Sequence, residues 1–319
     1  MICNIACGID DKYAKPLVTM LNSLFNHNKG TTYNIFILSL NISNENKELI
    51  SSWIHQNGHN IHYIDIEAKT LEKFPLKDDE TISKATYLRL LISELVPPEI
   101  DKILYLDVDI IINKNLTELY DTDIEHFALA AIEDAPNNSA IAQDIFPAPY
   151  FNAGVLLLNL KYLRNIRFTA KALQFVQENH NKITFHDQDV LNALLYEKCL
   201  LLPIQWNLLD CYFANPPKIQ KPRAPYLQQA LKNPAIIHFS GTIKPWHLGC
   251  LHPLKKLYSK NNPKIKIHHN ISKYERFNDF PRYQRILFII HCPSPIVKAI
   301  DSVAMKIWKY LAKKKCQET

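Results

Sequence analysis

Hydrophobic and polar positions follow two alternating periods along the first 112 residues of the chain. Short apolar runs are separated by longer segments whose apolar positions recur every three or four residues. The short runs predict strands, and the longer segments predict helices. The predicted strands are Asn4–Ile9, Tyr33–Leu40, Asn60–Ile66 and Lys102–Leu106, and the predicted helices are Ala14–Asn26, Asn44–Gln56 and Thr86–Leu95. This alternation is typical of an α/β fold with a largely parallel sheet and helices on both faces.

The second half of the chain is less regular. It holds two apolar runs (Phe127–Ile132 and Gly154–Leu160), two predicted helices (Leu163–Asn179 and Asp187–Tyr196) and one predicted strand (Ala235–Phe239). Residues 210–234 are rich in proline and polar residues, which predicts a long loop or a lid. After about residue 250 the pattern changes to a stretch rich in Lys, His and Asn.

Two carboxylates, Asp107 and Asp109, interrupt the apolar run that ends at Ile112. Side chains alternate along a strand, so both carboxylates should point the same way at its end. Two buried carboxylates without counter-charge would be very unfavourable, and Mg²⁺ or Mn²⁺ shared with substrate phosphates would supply that charge. Most isolated Asp-x-Asp motifs are solvated loops or helix caps. Here the preceding apolar strand favours a metal–diphosphate site, and Asp10 and Asp11 lie at a second strand end of the same kind.

Composition limits the alternatives. A chain of 319 residues fits one large domain or two smaller ones. Its six glycines form neither the dinucleotide-binding nor the P-loop pattern, so metal, Lys and Arg would have to hold a diphosphate. The seven cysteines are scattered without a Cys-x-x-Cys, which favours free thiols in a reducing cytosol, and Cys250 with His252 makes a poor zinc pair. We expect no signal peptide and, without a run of about 18 apolar residues, no membrane span.

The positive charge of the chain is concentrated near its end. Residues 281–319 hold eight Lys or Arg and two acidic residues. Their net charge of +6 equals that of the whole chain. Ser294 and Pro295 form a helix start, and an apolar stripe with helical spacing follows, flanked by lysines and Trp308. This pattern predicts a helix on an anionic membrane surface, with a C-terminal helix docked on the catalytic domain as the alternative. No nucleic-acid-reading module accompanies the basic residues, so nucleic acid is not an expected partner.

Six segments, in order, resemble one family, the family 8 retaining glycosyltransferases, and within it the bacterial lipopolysaccharide galactosyl- and glucosyltransferases. They are Ile9-Asp10-Asp11-Lys12-Tyr13, Ala85-Thr86-Tyr87-Leu88-Arg89, Leu104-Tyr105-Leu106-Asp107-Val108-Asp109, Tyr150-Phe151-Asn152-Ala153-Gly154-Val155, Asp187-Gln188-Asp189 and His238–His247. The resemblance implies one GT-A-like, Rossmann-related nucleotide-sugar domain over residues 1–250. A linker over 251–280 and a basic amphipathic, membrane-associating helical tail over 281–319 would follow it.

The resemblance also implies the site residues. Asp107, Asp109 and His238 match the family's manganese ligands, with Mg²⁺ as an alternative ion. Gly8 and Asp10 match contacts to the uracil and ribose of the donor, and Gly241 and Lys244 match contacts to its diphosphate. Residues matching contacts to the donor sugar or next to it are Arg89, Glu133 (or Asp134 in its place), Asn152, Asp187 and Gln188. The residues expected nearest the reaction are Gln188, Asp187 and Lys244.

The implied activity is Mn²⁺-dependent transfer of galactose or glucose from a UDP-hexose to a saccharide or lipid-linked saccharide, with lipopolysaccharide or lipooligosaccharide core as the first choice. Retention could arise by double displacement through a carboxylate or by front-side attack. The implied location is cytoplasmic, peripheral on the inner face of the cytoplasmic membrane. Two alternatives are a Mg²⁺-dependent phosphohydrolase of the haloacid dehalogenase type, disfavoured by the late position of Asp107, and a non-catalytic membrane-surface protein that retains the fold.

Overall fold

The computed structural model of the protein describes residues 2–265, apart from residues 73, 76–82, 136, 215, 248 and 249. Ten strands lie within the described residues. They are β1 (Ile2–Asp10), β2 (Thr32–Leu40), β3 (Asn60–Asp65), β4 (Lys102–Leu106), β5 (Ile110–Ile112), β6 (Leu129–Ala131), β7 (Val155–Asn159), β8 (Cys199–Leu201), β9 (Leu208–Leu209) and β10 (Ile236–His238).

Seven of these strands form the main sheet, in the order β3-β2-β1-β4-β7-β6-β8. Strands β1 to β4 pair in parallel with their neighbours, as do β6 and β8, whereas β7 runs antiparallel to both β4 and β6. The mixed α/β fold with a mostly parallel central sheet is therefore confirmed. Strands β5, β10 and β9 form a second, three-stranded sheet, in which β10 is antiparallel to β5 and parallel to β9.

The α-helices of the described residues connect these strands. They are α1 (Ala14–His27), α2 (Asn44–Gln56), α3 (Ile92–Leu95), α4 (Thr117–Tyr120), α5 (Ala140–Asp144), α6 (Leu160–Asn165), α7 (Phe168–Asn179), α8 (His186–Leu195), α9 (Ala224–Lys232) and α10 (Lys255–Asn261). Short 3-10 helices add to them at Asp11–Tyr13, Ala68–Leu71, Lys84–Leu91, Tyr196–Lys198, Ile204–Trp206, Asp210–Phe213 and Lys221–Arg223.

The central strands are buried on both faces, which explains their nearly continuous apolar sequences. Along β4, Leu104 and Leu106 belong to one hydrophobic core, and Ile103 and Tyr105 belong to another on the opposite face. All four side chains are fully buried. The sheet is thus rigidly held at the point where β4 ends, one residue before Asp107.

Three predicted elements differ from the structure. The single helix predicted at Leu163–Asn179 is wrong, because Arg167 adopts a left-handed conformation (φ 54°) that ends α6 and separates it from α7. The helix predicted at Thr86–Leu95 is mostly 3-10. Within it Nε of Arg89 donates to the backbone carbonyl of Thr86 at 3.1 Å.

The long loop predicted for residues 210–234 is also wrong, since these residues include two 3-10 helices and α9. Helix α9 carries a proline in its first turn, where the missing N–H removes no helical bond. It buries Leu227 and Ala230 against a small apolar cluster. We call residues 210–234 the lid segment.

The region predicted as a linker, 251–280, is described only as far as residue 265. It contains α10, which lies against α1: Nδ2 of Asn22 donates to the backbone carbonyl of Asn261 at 2.9 Å. The remainder of the predicted linker and the predicted tail over 281–319 lie outside the described residues.

Candidate active site

A cavity of about 490 Å³ opens at the carboxyl ends of β1 and β4, beside the ends of β9 and β10. Ligands of α/β sheets bind at this edge. Ten of the twelve predicted site residues line the cavity: Gly8, Arg89, Asp107, Asp109, Asn152, Asp187, Gln188, His238, Gly241 and Lys244. A side chain at Gly8 would be crowded, because a Cβ there would lie 3.1 Å from the carbonyl oxygen of Ala85.

Asp107, Asp109 and His238 converge in this cavity. Asp107 follows β4 directly, Asp109 precedes β5, and the antiparallel pairing of β5 with β10 places His238 opposite Ile110. Within the described part of the chain, these three form the one cluster of His, Cys, Asp and Glu suited to a metal ion, with ligand atoms within 4.8 Å of one another.

The donor set fits a divalent cation. Nε2 of His238 is 3.3 Å from Oδ1 of Asp109 and 3.9 Å from Oδ2 of Asp107. Neighbouring ligand atoms of an octahedral ion bound at about 2.1 Å lie about 3.0 Å apart. Small side-chain movements would therefore bring these ligand atoms to the spacing that such an ion requires. Gly154 leaves room for this cluster, because a Cβ there would lie 2.3 Å from Cε1 of His238 and 2.9 Å from Oδ2 of Asp107.

Two cationic side chains neutralise the carboxylates. Nη2 of Arg89 lies 2.8 Å from Oδ1 of Asp107, its Nε lies 2.9 Å from Oδ2 of Asp187, and the guanidinium is buried. Nζ of Lys244 lies 2.6 Å from Oδ2 of Asp109. Four carboxyl groups (Asp107, Asp109, Asp134 and Asp187) line the cavity, together with three cationic side chains (Arg89, Lys218 and Lys244) and His238.

The surroundings shift the pKa values of these groups in different directions. Burial raises the pKa of Asp107, although Arg89 opposes the shift. Burial would also raise the pKa of Asp109, but Lys244 and His238 together lower it. For His238, burial favours the neutral ring, and the carboxylate of Asp109 outweighs burial and raises the pKa. Asp109 is therefore the more strongly ionised of the two carboxylates.

The opposite wall of the cavity is a network of amides and carboxylates. Gln188, in the first turn of α8, donates through Nε2 to Oδ2 of Asp134 at 2.7 Å. Its Oε1 accepts from Nδ2 of Asn152 at 3.1 Å and from the backbone N–H of Ala153 at 3.0 Å. Oδ1 of Asp187 accepts from the hydroxyl of Thr86. Burial raises the pKa of both Asp134 and Asp187, with Arg89 opposing the shift at Asp187.

Asp10 and Glu133 are the two predicted site residues that do not line the cavity. Oδ1 of Asp10 accepts from the backbone N–H of Lys12 at 3.0 Å and so caps a 3-10 turn. Glu133 pairs with Arg223 of the lid segment, with 3.2 Å between Oε2 and Nε. Asp134, the neighbour of Glu133, faces the cavity instead.

The loop after β10 shapes one side of the cavity. The N–H of Gly241 donates to Oδ2 of Asp210 at 2.9 Å, and a Cβ on Gly241 would lie 2.6 Å from the same oxygen. Nζ of Lys244 also donates to the carbonyl of Phe239 at 3.0 Å. Asp210 begins the lid segment, which contributes Lys218 to the cavity rim.

Sequence reasoning did not find Asn207, a fully buried amide next to the cluster. Its Oδ1 lies 2.9 Å from Nδ1 of His238, and its Nδ2 donates to Oδ1 of Asn152 at 2.8 Å. The available signal was weak: a single amide between the apolar residues Trp206 and Leu208, which indicates a buried polar group with a specific partner.

The family model of glycosyl transferase family 8 matches residues 4–250, a range that includes every residue lining the cavity. The chain belongs to this family. General stress protein A of Bacillus subtilis (strain 168) is 28% identical over 268 residues, which cover 81% of this chain and 92% of that protein. The lipopolysaccharide 1,2-glucosyltransferase of Escherichia coli (strain K12) is 25% identical over 315 residues, covering 96% and 91%. Family membership removes the support for the phosphohydrolase alternative.

The solved structures agree with the family assignment. The galactosyltransferase LgtC, solved in complex with donor and acceptor sugar analogues, superposes with a TM-score of 0.75 and 27% identity, covering 85% of this chain and 98% of LgtC. The chain therefore has the architecture of a glycosyltransferase of this family. Among the helices of the described residues, none combines the length and apolar character that crossing a bilayer requires.

Proposed function

We propose that this family 8 glycosyltransferase transfers galactose or glucose from a UDP-hexose to a saccharide acceptor, with Mn²⁺ bound by Asp107, Asp109 and His238. The observation that carries the proposal is the convergence of these three ligand atoms within 4.8 Å in a cavity that also holds Lys244. Two carboxylates and an imidazole leave coordination positions for diphosphate oxygens. When bound, the cation would supply Lewis-acid stabilisation of the departing diphosphate.

The side chains of this protein would then act on the donor as follows. Lys244 would donate to a diphosphate oxygen and stabilise the negative charge of the leaving UDP. Gly241, without a side chain, would let the backbone approach the phosphates. Asn152, Asp187 and Asp134 would bind hexose hydroxyls. The lid segment, which contributes Lys218 to the rim, would exclude water that could hydrolyse the donor.

We propose front-side attack as the route to retention, rather than a covalent intermediate on Gln188. An amide oxygen has two lone pairs, and those of Gln188 Oε1 already accept from Asn152 and from the N–H of Ala153. Nε2 has two hydrogens, of which one reaches Asp134. Gln188 therefore offers no lone pair of its Oε1 for attack on the sugar. The leaving phosphate oxygen would accept the acceptor's proton.

The proposed acceptor is lipopolysaccharide or lipooligosaccharide core, reached on the cytoplasmic face of the membrane. The similarity to the E. coli lipopolysaccharide 1,2-glucosyltransferase supports it, since it extends over 96% of this chain. The eight Lys or Arg of residues 281–319 are the proposed contact with anionic lipid. A peripheral location at the cytoplasmic membrane follows from these two proposals.

The decisive experiment is UDP release by the purified protein from UDP-galactose and from UDP-glucose, with Mn²⁺ and then with EDTA. We expect Mn²⁺-dependent release from one donor, which would identify the sugar. The control variant is Asp109→Asn, which should lose Mn²⁺-dependent binding of UDP while its circular dichroism is unchanged. Equal release with EDTA, or full activity of Asp109→Asn, would contradict the metal assignment.

The membrane proposal is tested by vesicle sedimentation. A chain without residues 281–319 should no longer sediment with vesicles containing anionic lipid, yet should release UDP at a similar rate. Neutral vesicles serve as the control. Loss of folding on truncation would instead support the alternative of a helix docked on the catalytic domain.

A further inference from the structure

A continuous series of side-chain hydrogen bonds runs from the sugar side of the cavity to the imidazole of the metal cluster. Asp134 accepts from Gln188, Gln188 accepts from Asn152, Asn152 accepts from Asn207, and Asn207 meets His238. The heavy-atom distances along it are 2.7, 3.1, 2.8 and 2.9 Å. Asn207 is the member with no exposure to solvent, and it does not line the cavity.

Two backbone N–H groups determine which terminal atom of each side-chain amide in this series is the oxygen and which is the nitrogen. The N–H of Gly154 donates to the Asn152 side chain at 3.0 Å, so that atom must be the oxygen. Asn207 also meets that oxygen and must therefore present its Nδ2, which leaves its Oδ1 facing His238. The N–H of Ala153 fixes Oε1 of Gln188 in the same way. These amide orientations thus follow from fixed donors rather than from a choice between similar atoms.

The same logic fixes the ring nitrogen of His238 that carries a proton. An amide oxygen can only accept, so Nδ1 of His238 must donate to Oδ1 of Asn207. The proton on Nδ1 leaves Nε2 of the neutral ring with a free lone pair. Nε2 is the atom that lies 3.3 Å from Asp109 and 3.9 Å from Asp107.

We propose that Asn207 is a positioning residue, which holds His238 as an Nε2 ligand and links the metal cluster to Asn152 and Gln188. The proposal rests on the proposed metal site. Metal-binding histidines usually donate their second N–H to a polar acceptor, which fixes both the tautomer and the ring plane. Through Asn152, whose Oδ1 accepts from both Asn207 and Gly154, the same amide also orients the wall that would face the hexose.

The test compares three variants. Asn207→Leu removes both hydrogen bonds, Asn207→Asp keeps an acceptor for His238 but loses the donor to Asn152, and Asn28→Leu removes a different buried amide. Asn28 is the matched control because it makes three hydrogen bonds, is 2% exposed and does not line the cavity. Mn²⁺ affinity without donor is measured from the electron paramagnetic resonance signal of free Mn²⁺.

We expect Mn²⁺ affinity to fall about 10- to 100-fold in Asn207→Leu, and to stay within about threefold of wild type in Asn207→Asp and Asn28→Leu. Asn207→Asp should instead lose turnover, because Asn152 is no longer held. Wild-type affinity in a folded Asn207→Leu would overturn the proposal, as would an equal fall in Asn28→Leu.

A second readout does not depend on the metal. In metal-free protein labelled with ¹⁵N-histidine, the resonance of His238 should show a hydrogen-bonded proton on Nδ1, whatever the charge of the ring. That proton should become exchange-broadened in Asn207→Leu and persist in Asn207→Asp. If wild-type protein shows the Nδ1 proton yet binds no Mn²⁺, the proposed function fails and the positioning of His238 stands. A wild-type Nδ1 without a proton overturns the positioning itself.

Discussion

Nζ of Lys244 lies 2.6 Å from Oδ2 of Asp109, so the lysine proposed to meet the diphosphate is paired with a carboxylate proposed to bind the metal. Both side chains are largely buried, with 12% of each exposed. Lys244 supplies counter-charge to Asp109. A cation bound at Asp109 would stabilise the same carboxylate, and the proposed metal binding would then be linked to the stability of the fold.

Replacing Lys244 by Met should therefore make the fold depend on the cation. Removing one partner of a buried pair costs about 3–5 kcal/mol, and Mn²⁺ bound to Asp109 would restore part of that loss. We expect Lys244→Met to melt well below wild type without metal and to gain more in Tm from Mn²⁺ than wild type does. Lys218→Met, at the exposed rim of the same cavity, is the control and should show the wild-type gain. An equal gain in both variants would contradict the coupling.

A methyl group at Gly154 should block the metal cluster. The added Cβ of Gly154→Ala would lie 2.3 Å from Cε1 of His238, a distance that forces the ring to move. We expect Mn²⁺ affinity to fall at least tenfold, with about 1–3 kcal/mol lost from the free energy of unfolding. Gly30→Ala separates the two effects, because Gly30 has φ +87° but open space around it. Gly30→Ala should lose stability and keep its Mn²⁺ affinity. Titration of each variant with Mn²⁺ measures that affinity.

Asp189 should prove to be structural even though it adjoins Gln188. Its Oδ1 accepts from the hydroxyls of Ser139 and Tyr150 at 2.5 and 2.6 Å, and its Oδ2 accepts from the N–H groups of Thr184 and Phe185 at 2.6 and 2.7 Å. The hydroxyl of Tyr150 can turn to accept, whereas Oγ of Ser139 already accepts from the N–H groups of Ile141 and Ala142. An Asn side chain can therefore keep its oxygen on the N–H groups of Thr184 and Phe185 and direct its NH₂ to Tyr150.

We expect Asp189→Asn to cost about 1 kcal/mol and Asp189→Ala about 3 kcal/mol or more in the free energy of unfolding, because Ala leaves two buried N–H groups unsatisfied. Urea unfolding gives both values. Asp189→Asn should retain turnover within a few-fold of wild type. A folded Asp189→Asn with turnover reduced 100-fold would show that the reaction requires the charge of this carboxylate.

The parts of the site that sequence reasoning could reach are those encoded locally. Asp107 and Asp109 stand two residues apart after an apolar strand, so strand alternation predicted that both carboxylates face one side. In the structure both lie in the short connection between β4 and β5, and both line the cavity. His238 depended on the family resemblance, because the antiparallel pairing of β5 with β10 brings it opposite Ile110 from far along the chain. Local periodicity contains no information about that pairing.

The residues that escaped prediction act through side-chain pairs from distant segments. Asn207 reaches His238 and Asn152 across three separate elements. Glu133 and Asp134 could not be told apart in sequence, and the isolated bridge between Glu133 and Phe151, with Arg223 on the outer side, decides which of them faces the cavity.

The pH dependence of stability should reveal a buried histidine, His252, that lies close to Asp210. Nδ1 of His252 accepts from the N–H of Leu254 at 3.1 Å, so its proton is on Nε2, 3.4 Å from Oδ1 of Asp210. Phe213 and Phe239 lie against the ring at 4.5 and 4.8 Å between centroids. Burial lowers the pKa of His252 from 6.5 to about 4, despite the nearby carboxylate. Burial also raises the pKa of Asp210 from 3.8 to about 6, with Lys244 opposing the shift.

These two shifts act in opposite directions as the pH falls. The contribution of neutral His252 to the free energy of unfolding is fully present above pH 6.5 and is lost towards pH 4. Over this range the unfolded chain binds a proton at His252 that the folded chain does not bind. The contribution of Asp210 grows from about pH 6 down to 3.8, because the folded carboxyl takes up its proton first. In wild type the two nearly offset each other between about pH 6 and 4.

His252→Phe keeps an aromatic ring against Phe213 and Phe239 and removes the loss at acid pH. It also removes the acceptor of the Leu254 N–H, but the cost of that change does not depend on pH. Relative to wild type, its free energy of unfolding should rise by up to about 3 kcal/mol between pH 7 and pH 4.5. Relative to wild type, the free energy of unfolding of Asp210→Asn should instead fall over the same pH range. This variant removes the stabilisation that wild type gains when the folded carboxyl of Asp210 takes up its proton. Urea unfolding at the two pH values measures both. A difference between His252→Phe and wild type that does not change with pH would mean that the folded protein protonates His252 as readily as the unfolded chain does.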